Sequence, residues 1–113
     1  DLDRLKEASL LIVGTHDFAT FGTPTSGSPS TVREIFEAQW QESPQNATLA
    51  FSIRGSGFLR YMVRSLVGTL IQVGSGKVSV QDFRGIIDSC DRSRSGPTAP
   101  PHGLSLISVQ YGH

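Results

Sequence analysis

The sequence lacks several features that whole classes of protein require. It contains a single cysteine, Cys90, among 113 residues, so neither an internal disulfide nor a cysteine-based metal cage can form within the chain. Its longest apolar run, residues 10–13, is far shorter than the roughly 20 residues of a membrane span. The first six residues are too charged for a secretory signal peptide. These absences predict a soluble, cytoplasmic protein without a membrane partner. Cys90 is expected to stay reduced and to pack in the core.

Net charge is also absent, because ten basic side chains balance ten acidic ones. The distribution is nevertheless uneven: residues 1–51 hold three basic and seven acidic side chains, whereas residues 52–94 hold seven basic and three acidic ones. Six of those seven basic residues are arginines, the type that binds phosphate or carboxylate through two parallel hydrogen bonds. The pattern favours an anionic partner for the second half of the chain, with a solvated surface and chance clustering as the alternative.

The longest helical pattern covers residues 58–73 and is flanked by glycines. Its apolar residues recur at the i, i+3, i+4 and i+7 spacing of a buried helix face. Arg60, Arg64 and Gly68 are four residues apart and are expected to form one line along the helix, with Gly68 leaving space beside the Arg64 guanidinium. Because breaking a buried charge pair costs about 3–5 kcal/mol, we expect these arginines to reach solvent or to meet a carboxylate or phosphate.

The remaining patterns predict an α+β protein with a mainly antiparallel sheet packed against helices. Further helices are expected at residues 4–13 and after Ser79, a turn at 14–21, and strands at 31–42, 48–55 and 104–111. Residues 22–30 consist almost entirely of Gly, Pro, Ser and Thr, which predicts a flexible loop. A chain of this size can bury one core, so residues 1–113 are expected to form a single domain.

No catalytic or metal-binding motif is complete within the chain. The three histidines, His16, His102 and His113, lack the spacing of a zinc site, so no metal is expected. Residues 55–57, Gly-Ser-Gly, resemble a fragment of a phosphate-binding loop, but no Lys-Ser/Thr pair follows them. The alternative, that these glycines let the chain turn tightly between a strand and a helix, is favoured.

Five motifs together resemble the C-terminal half of the type A tRNA pseudouridine synthases, which modify the anticodon arm. They are GTHDFATF at 14–21, TVREI at 31–35, GFLRYMVRSLVGTLIQVGSGK at 57–77, DR at 91–92 and GPTAPPHGLSL at 96–106. The resemblance implies an isomerase that converts uridine to pseudouridine without a cofactor. It also implies one half of the pseudouridine synthase fold, a ferredoxin-like or RNA-recognition-like half. The implied partners are tRNA, the N-terminal half of the same protein and a second copy in a homodimer.

The same resemblance implies roles for five residues. Arg64 matches the basic residue that pairs with the family's catalytic aspartate, and Leu104 matches the apolar residue that packs against the uracil ring. Three others fall at motif positions near the cleft, where they are expected to contact RNA or support the structure: Arg60, His16 and His102. Phe58 is expected in the core, with stacking of its aromatic ring on an RNA base as the alternative.

Two departures from the family pattern matter. The Arg-Thr-Asp motif that carries the catalytic aspartate does not occur in this chain, so the chain alone is expected to be inactive. Gly22 stands where many relatives carry a basic or polar residue, so an RNA contact is expected to be lost there. The alternatives are a non-catalytic RNA-binding or scaffolding module of the same fold and a small-molecule enzyme on a ferredoxin-like sheet.

Overall fold

The computed structural model describes residues 2–24, 29–43, 48–96 and 106–111. The elements, in chain order, are helix α1 (Leu2–Leu10), strands β1 (Gly14–Asp17), β2 (Val32–Ser43) and β3 (Thr48–Gly55), helices α2 (Met62–Gly74) and α3 (Val80–Ser89), a short 3-10 helix (Arg92–Arg94) and strand β4 (Leu106–Tyr111). The sheet has the order β1-β2-β3-β4, and all pairs are antiparallel except β3 with β4. The expected α+β class with a mainly antiparallel sheet is confirmed.

The core lies between the sheet and the helices, and Trp40 joins the two layers. Its indole Nε1 donates a hydrogen bond to the Ser9 hydroxyl of α1 at 2.8 Å, and its ring lies 4.8 Å from the ring of Phe51 on β3. A buried indole needs such an acceptor for its N–H. This contact fixes α1 on the sheet, and α1 in turn packs against α2 and α3. Among the described residues, no helix has the length and apolar character that crossing a membrane requires.

Strand β2 contains a β-bulge at Phe36, where Ile35 and Glu37 pair with consecutive residues of β3. Successive side chains of a strand point to opposite faces, so one extra residue reverses the alternation. Ile35 before the bulge and Trp40 after it are therefore both buried, although they are an odd number of residues apart. The alternation within residues 31–42 predicts Phe36 on the apolar face with Trp40. This prediction is wrong, because Phe36 is half-buried and its ring centroid lies 5.1 Å from the guanidinium carbon of Arg54.

Residues 14–21 are not the simple turn that their sequence suggests. Helix α1 ends at Leu10, and Gly14, with φ of 107°, leads into strand β1, which pairs with the start of β2. Four residues on a sheet edge are too few for a hydrophobic alternation to be recognised in the sequence. The chain therefore gains an edge strand where a turn is predicted.

Helix α3 begins as predicted but ends differently. The Ser79 hydroxyl accepts a hydrogen bond from the Asp82 backbone N–H at 3.0 Å, which caps the helix. At the other end Cys90 adopts a left-handed conformation, with φ of 52°, and is exposed. The prediction that Cys90 packs in the core is wrong. Helix α3 ends at Ser89, so its apolar face does not extend to Cys90.

The predicted flexible loop at residues 22–30 has a fixed start. Gly22 is buried, and Thr23 pairs with Arg60 through two backbone hydrogen bonds of 3.1 Å. Residues 25–28 lie outside the described residues, so the flexibility of the whole loop stays a prediction.

Candidate active-site and RNA-binding face

Arg64 lies in the first turn of α2 with its side chain exposed. The neighbouring Met62, Ser65 and Leu66 are buried, so α2 turns one side to the core and presents Arg64 on the other. Because the side chain is exposed, the guanidinium keeps access to water, which is one of the two outcomes that its charge requires.

Arg60 does not belong to α2, and the predicted line of Arg60, Arg64 and Gly68 along one helix is wrong at its first member. The helix begins at Met62 because Tyr61 has a left-handed backbone, with φ of 70° and ψ of −5°. A right-handed helix cannot continue through such a residue. Arg60 is instead held by its backbone bridge to Thr23 and has an exposed side chain.

Gly22 makes this arrangement possible. A β-carbon at Gly22 would lie 2.6 Å from the Cβ of Leu59 and 2.7 Å from the carbonyl oxygen of Arg60. Both distances are below normal contact, so a larger residue would push residues 59–60 away. The packing of residues 59–60 therefore favours glycine at position 22 of this chain.

Tyr61 is the centre of a surface cluster that the sequence does not reveal. Tyr61 is 51% exposed, and the guanidinium carbons of Arg60 and Arg92 lie over its ring, 5.2 Å and 6.0 Å from the ring centroid. We call these three residues the Tyr61 cluster. Arg92 comes from the 3-10 helix, which is distant from Tyr61 in sequence. In the sequence, only the DR motif at 91–92 indicates Arg92.

His16 is held by contacts within the domain. Its Nε2 donates to the Val13 carbonyl at 2.9 Å, and its ring meets that of Phe18 edge-on at 5.7 Å. The side chain is half-buried. These contacts account for the orientation of the ring, and a contact between His16 and RNA stays a prediction.

The carboxylate of Asp17 joins β1 to the residues around it. Its Oδ1 accepts hydrogen bonds from the Ala19 backbone N–H at 3.0 Å and from the Thr31 hydroxyl at 2.6 Å. Asp17 also lies near Cys90, whose thiol pKa is raised by partial desolvation first and by this carboxylate second. The Asp17 carboxylate therefore ties β1 to Ala19 and Thr31 and disfavours the reactive thiolate form of Cys90.

The other predicted site residues are half-buried or fall outside the described residues. Phe58 is half-buried and packs against the core, so its stacking on a base stays a prediction. Leu104 and His102 lie outside the described residues. In the described part of the chain, no three His, Cys, Asp or Glu side chains are grouped closely enough to hold a metal ion.

Known proteins resemble this chain over almost its whole length. Residues 8–112 match the sequence model of a family described as tRNA pseudouridine synthase. The tRNA pseudouridine synthase A of Porphyromonas gingivalis is 44% identical over 111 residues, which are 98% of this chain and 44% of that protein. Those of Chloroflexus aurantiacus and Bacillus velezensis are each 41% identical over 98% of this chain, and the matches cover 41% and 44% of the two relatives. The chain thus spans less than half the length of these relatives, and it belongs to the tRNA pseudouridine synthase family.

Proposed function

We propose that this chain forms one wall of the active cleft, and part of the tRNA surface, of a tRNA pseudouridine synthase. The family match over residues 8–112, which includes α2 and Arg64, carries the proposal. None of the six aspartates in this chain stands in an Arg-Thr-Asp motif, and the curated relatives are more than twice as long as the matched segment. The catalytic aspartate is therefore assigned to the N-terminal half of such a protein.

In the proposed reaction uridine and pseudouridine are isomers. The bond between the ribose C1′ and the uracil N1 breaks, the base rotates, and a bond from C1′ to the ring carbon C5 forms. C5 loses its proton to solvent and N1 gains one, so the atoms balance. No cofactor is needed to balance the reaction. Arg64 pairs with the catalytic aspartate, which keeps that carboxylate ionised and oriented, and Leu104 packs against the uracil ring. Exposure of Arg64 in the first turn of α2 supports this role.

The proposed substrate is the anticodon arm of tRNA. The target nucleotide must leave its stack to enter a cleft, which costs a few kcal/mol, and phosphate contacts elsewhere offset that cost. Arg60 is exposed beside α2 and is proposed as one such contact. His16, Phe58 and His102 are proposed near the cleft. We further propose that the protein acts in the cytoplasm, with the N-terminal half and a second copy as its partners.

The proposal is tested by comparing the purified 113-residue chain with the intact protein. The assay measures release of tritium from tRNA whose uridines carry tritium at C5. We expect the intact protein to convert uridine and the chain alone to bind tRNA without conversion. Conversion by the chain alone would contradict the assignment of the aspartate to another segment. If the intact protein binds tRNA and converts none, the chain is instead part of a non-catalytic RNA-binding module.

A further inference from the structure

We propose that the Tyr61 cluster binds one nucleotide of an unpaired segment of the substrate RNA, with the base stacked on Tyr61 and its phosphate held by Arg60 and Arg92. The inference rests on the proposed function, since it takes the substrate to be RNA. It adds a stacking residue and a second arginine to the surface beside Arg64.

The first argument is the shape and exposure of the cluster. Half of the Tyr61 side chain is open to solvent, although a tyrosine ring has a large apolar surface. Arg60 and Arg92 approach this ring from two separate segments of the chain. Because these guanidinium groups lie over the ring, binding moves them from the ring to the phosphate. The ring then offers a stacking surface, and the arginines offer hydrogen-bond donors.

The second argument is charge. Arg60 and Arg92 are both exposed, and in the part of the chain that the structure describes neither forms an ion pair with a carboxylate. Asp91 is next to Arg92 in sequence, but its Oδ1 accepts hydrogen bonds from the backbone N–H and the hydroxyl of Ser93, at 2.9 Å and 2.7 Å. Two cations that share one ring repel each other, and an anion between them removes that repulsion. A phosphate meets this requirement.

The third argument is that the backbone of Tyr61 is fixed before any ligand arrives. Its carbonyl accepts the Ser65 N–H at 3.0 Å, and the Met62 N–H donates to the Leu59 carbonyl at 3.2 Å. On its other side, Arg60 is bridged to Thr23. Because the backbone is already ordered, stacking on this ring requires little further loss of conformational entropy.

The experiment measures binding of the 113-residue chain to a fluorescent anticodon stem-loop RNA by anisotropy, over a range of salt concentrations. Tyr61→Asn removes the ring and keeps a residue type that tolerates the left-handed backbone, and we expect about tenfold weaker binding. Tyr61→Phe keeps the ring and is expected to bind like the parent chain. Arg92→Gln is expected to weaken binding and to reduce the slope of log K against log salt concentration by the contribution of about one phosphate contact. Tyr61→Asn is expected to leave that slope unchanged.

Arg84→Gln is the matched control, since it removes the same charge from an exposed arginine that pairs with Asp88 on α3. It is expected to change binding less than Arg92→Gln. Thermal melting of every variant checks that the fold is retained. Parent-like binding by Tyr61→Asn, or equal weakening on a fully paired RNA of the same length, would overturn the stacking site and leave the proposed function standing. If the parent chain binds neither RNA, the proposed tRNA surface fails as well.

Discussion

The hydroxyl of Thr20 donates a hydrogen bond to the carbonyl oxygen of Ile86 at 2.8 Å, and both residues are buried. Thr20 belongs to the segment after β1, and Ile86 belongs to the last turns of α3. Carbonyl groups near the end of a helix lack backbone partners within it, and that of Ile86 accepts hydrogen bonds from the hydroxyls of both Thr20 and Ser89. The bond from Thr20 also joins two parts of the chain that are 66 residues apart in sequence.

We therefore expect Thr20→Val to destabilise the domain. Valine has nearly the same shape but cannot donate, so the loss is about 1–2 kcal/mol in the free energy of unfolding. Urea unfolding followed by the fluorescence of Trp40 measures it. Thr15→Val, on the exposed side of β1, is the control and should change the free energy by less than about 0.5 kcal/mol. Equal midpoints for the two variants would contradict the role of this bond.

Gly22→Ala is expected to destabilise the domain by overpacking. Its added β-carbon would lie 2.6 Å from the Cβ of Leu59, and relieving such a contact typically costs about 1–3 kcal/mol. Gly57→Ala is the control, because its nearest neighbours are side-chain atoms of Arg33 at 3.6 Å and 3.7 Å, which are ordinary contacts. The denaturant midpoints of unfolding of the two variants measure the difference. A Gly22→Ala protein as stable as Gly57→Ala would contradict the prediction and show that residues 59–60 can move.

Arg64→Ala in the intact protein is expected to abolish most of the proposed synthase activity and leave folding unchanged. If Arg64 forms the proposed ion pair in a closed cleft, loss of this partner costs about 3–5 kcal/mol, which lowers kcat/KM by more than about a hundredfold. Because Arg64 is exposed within this domain, the free energy of unfolding of the variant should differ from that of the parent by less than about 0.5 kcal/mol. Arg84→Ala serves as the control. Parent-like kcat/KM for Arg64→Ala would rule out the ion-pair role.

Asp91 provides a prediction about pH. Hydrogen bonds from the Ser93 side chain and backbone lower the pKa of its carboxyl from the ordinary 3.8. A lowered pKa in the folded state stabilises the fold above pH 3.8, and this contribution is lost as the pH falls through the folded-state pKa. Ser93→Ala removes the hydroxyl donor and should raise the pKa of Asp91, measured by NMR titration. Ser95→Ala should leave it unchanged.

The sequence predicted those parts of the fold that depend on local signals. Ser79 and Asp82 cap α3 as expected, because the capping interaction needs only residues close together in the chain. Strands β2 and β3 were found within one residue of their observed bounds, since turn residues separate two apolar patterns. The exposure of Arg64 also follows from local spacing on α2.

The errors arose where distant residues decide the local conformation. Apolar periodicity continues through residues 58–61, but the backbone bridge between Thr23 and Arg60 and the left-handed Tyr61 delay the helix to Met62. No local signal places Arg92 beside Tyr61, because the contact depends on how the 3-10 helix packs after α3. The sequence therefore indicates Arg60 and Arg64 as candidate site residues, whereas the grouping of Tyr61 with Arg92 is visible only in the structure.

The bulge at Phe36 has a consequence for the outer face of the sheet. In a regular strand, consecutive side chains point to opposite faces and cannot both meet one neighbour. Here Arg54 of β3 contacts two consecutive residues of β2: its guanidinium carbon lies 5.1 Å from the Phe36 ring, and its Nε lies 3.5 Å from the Glu37 carboxylate. One inserted residue thus gives Arg54 an aromatic and an anionic neighbour on the same side, which limits the directions its side chain can take. The strand that supplies the core thereby also orients a cation on the solvent side of the sheet.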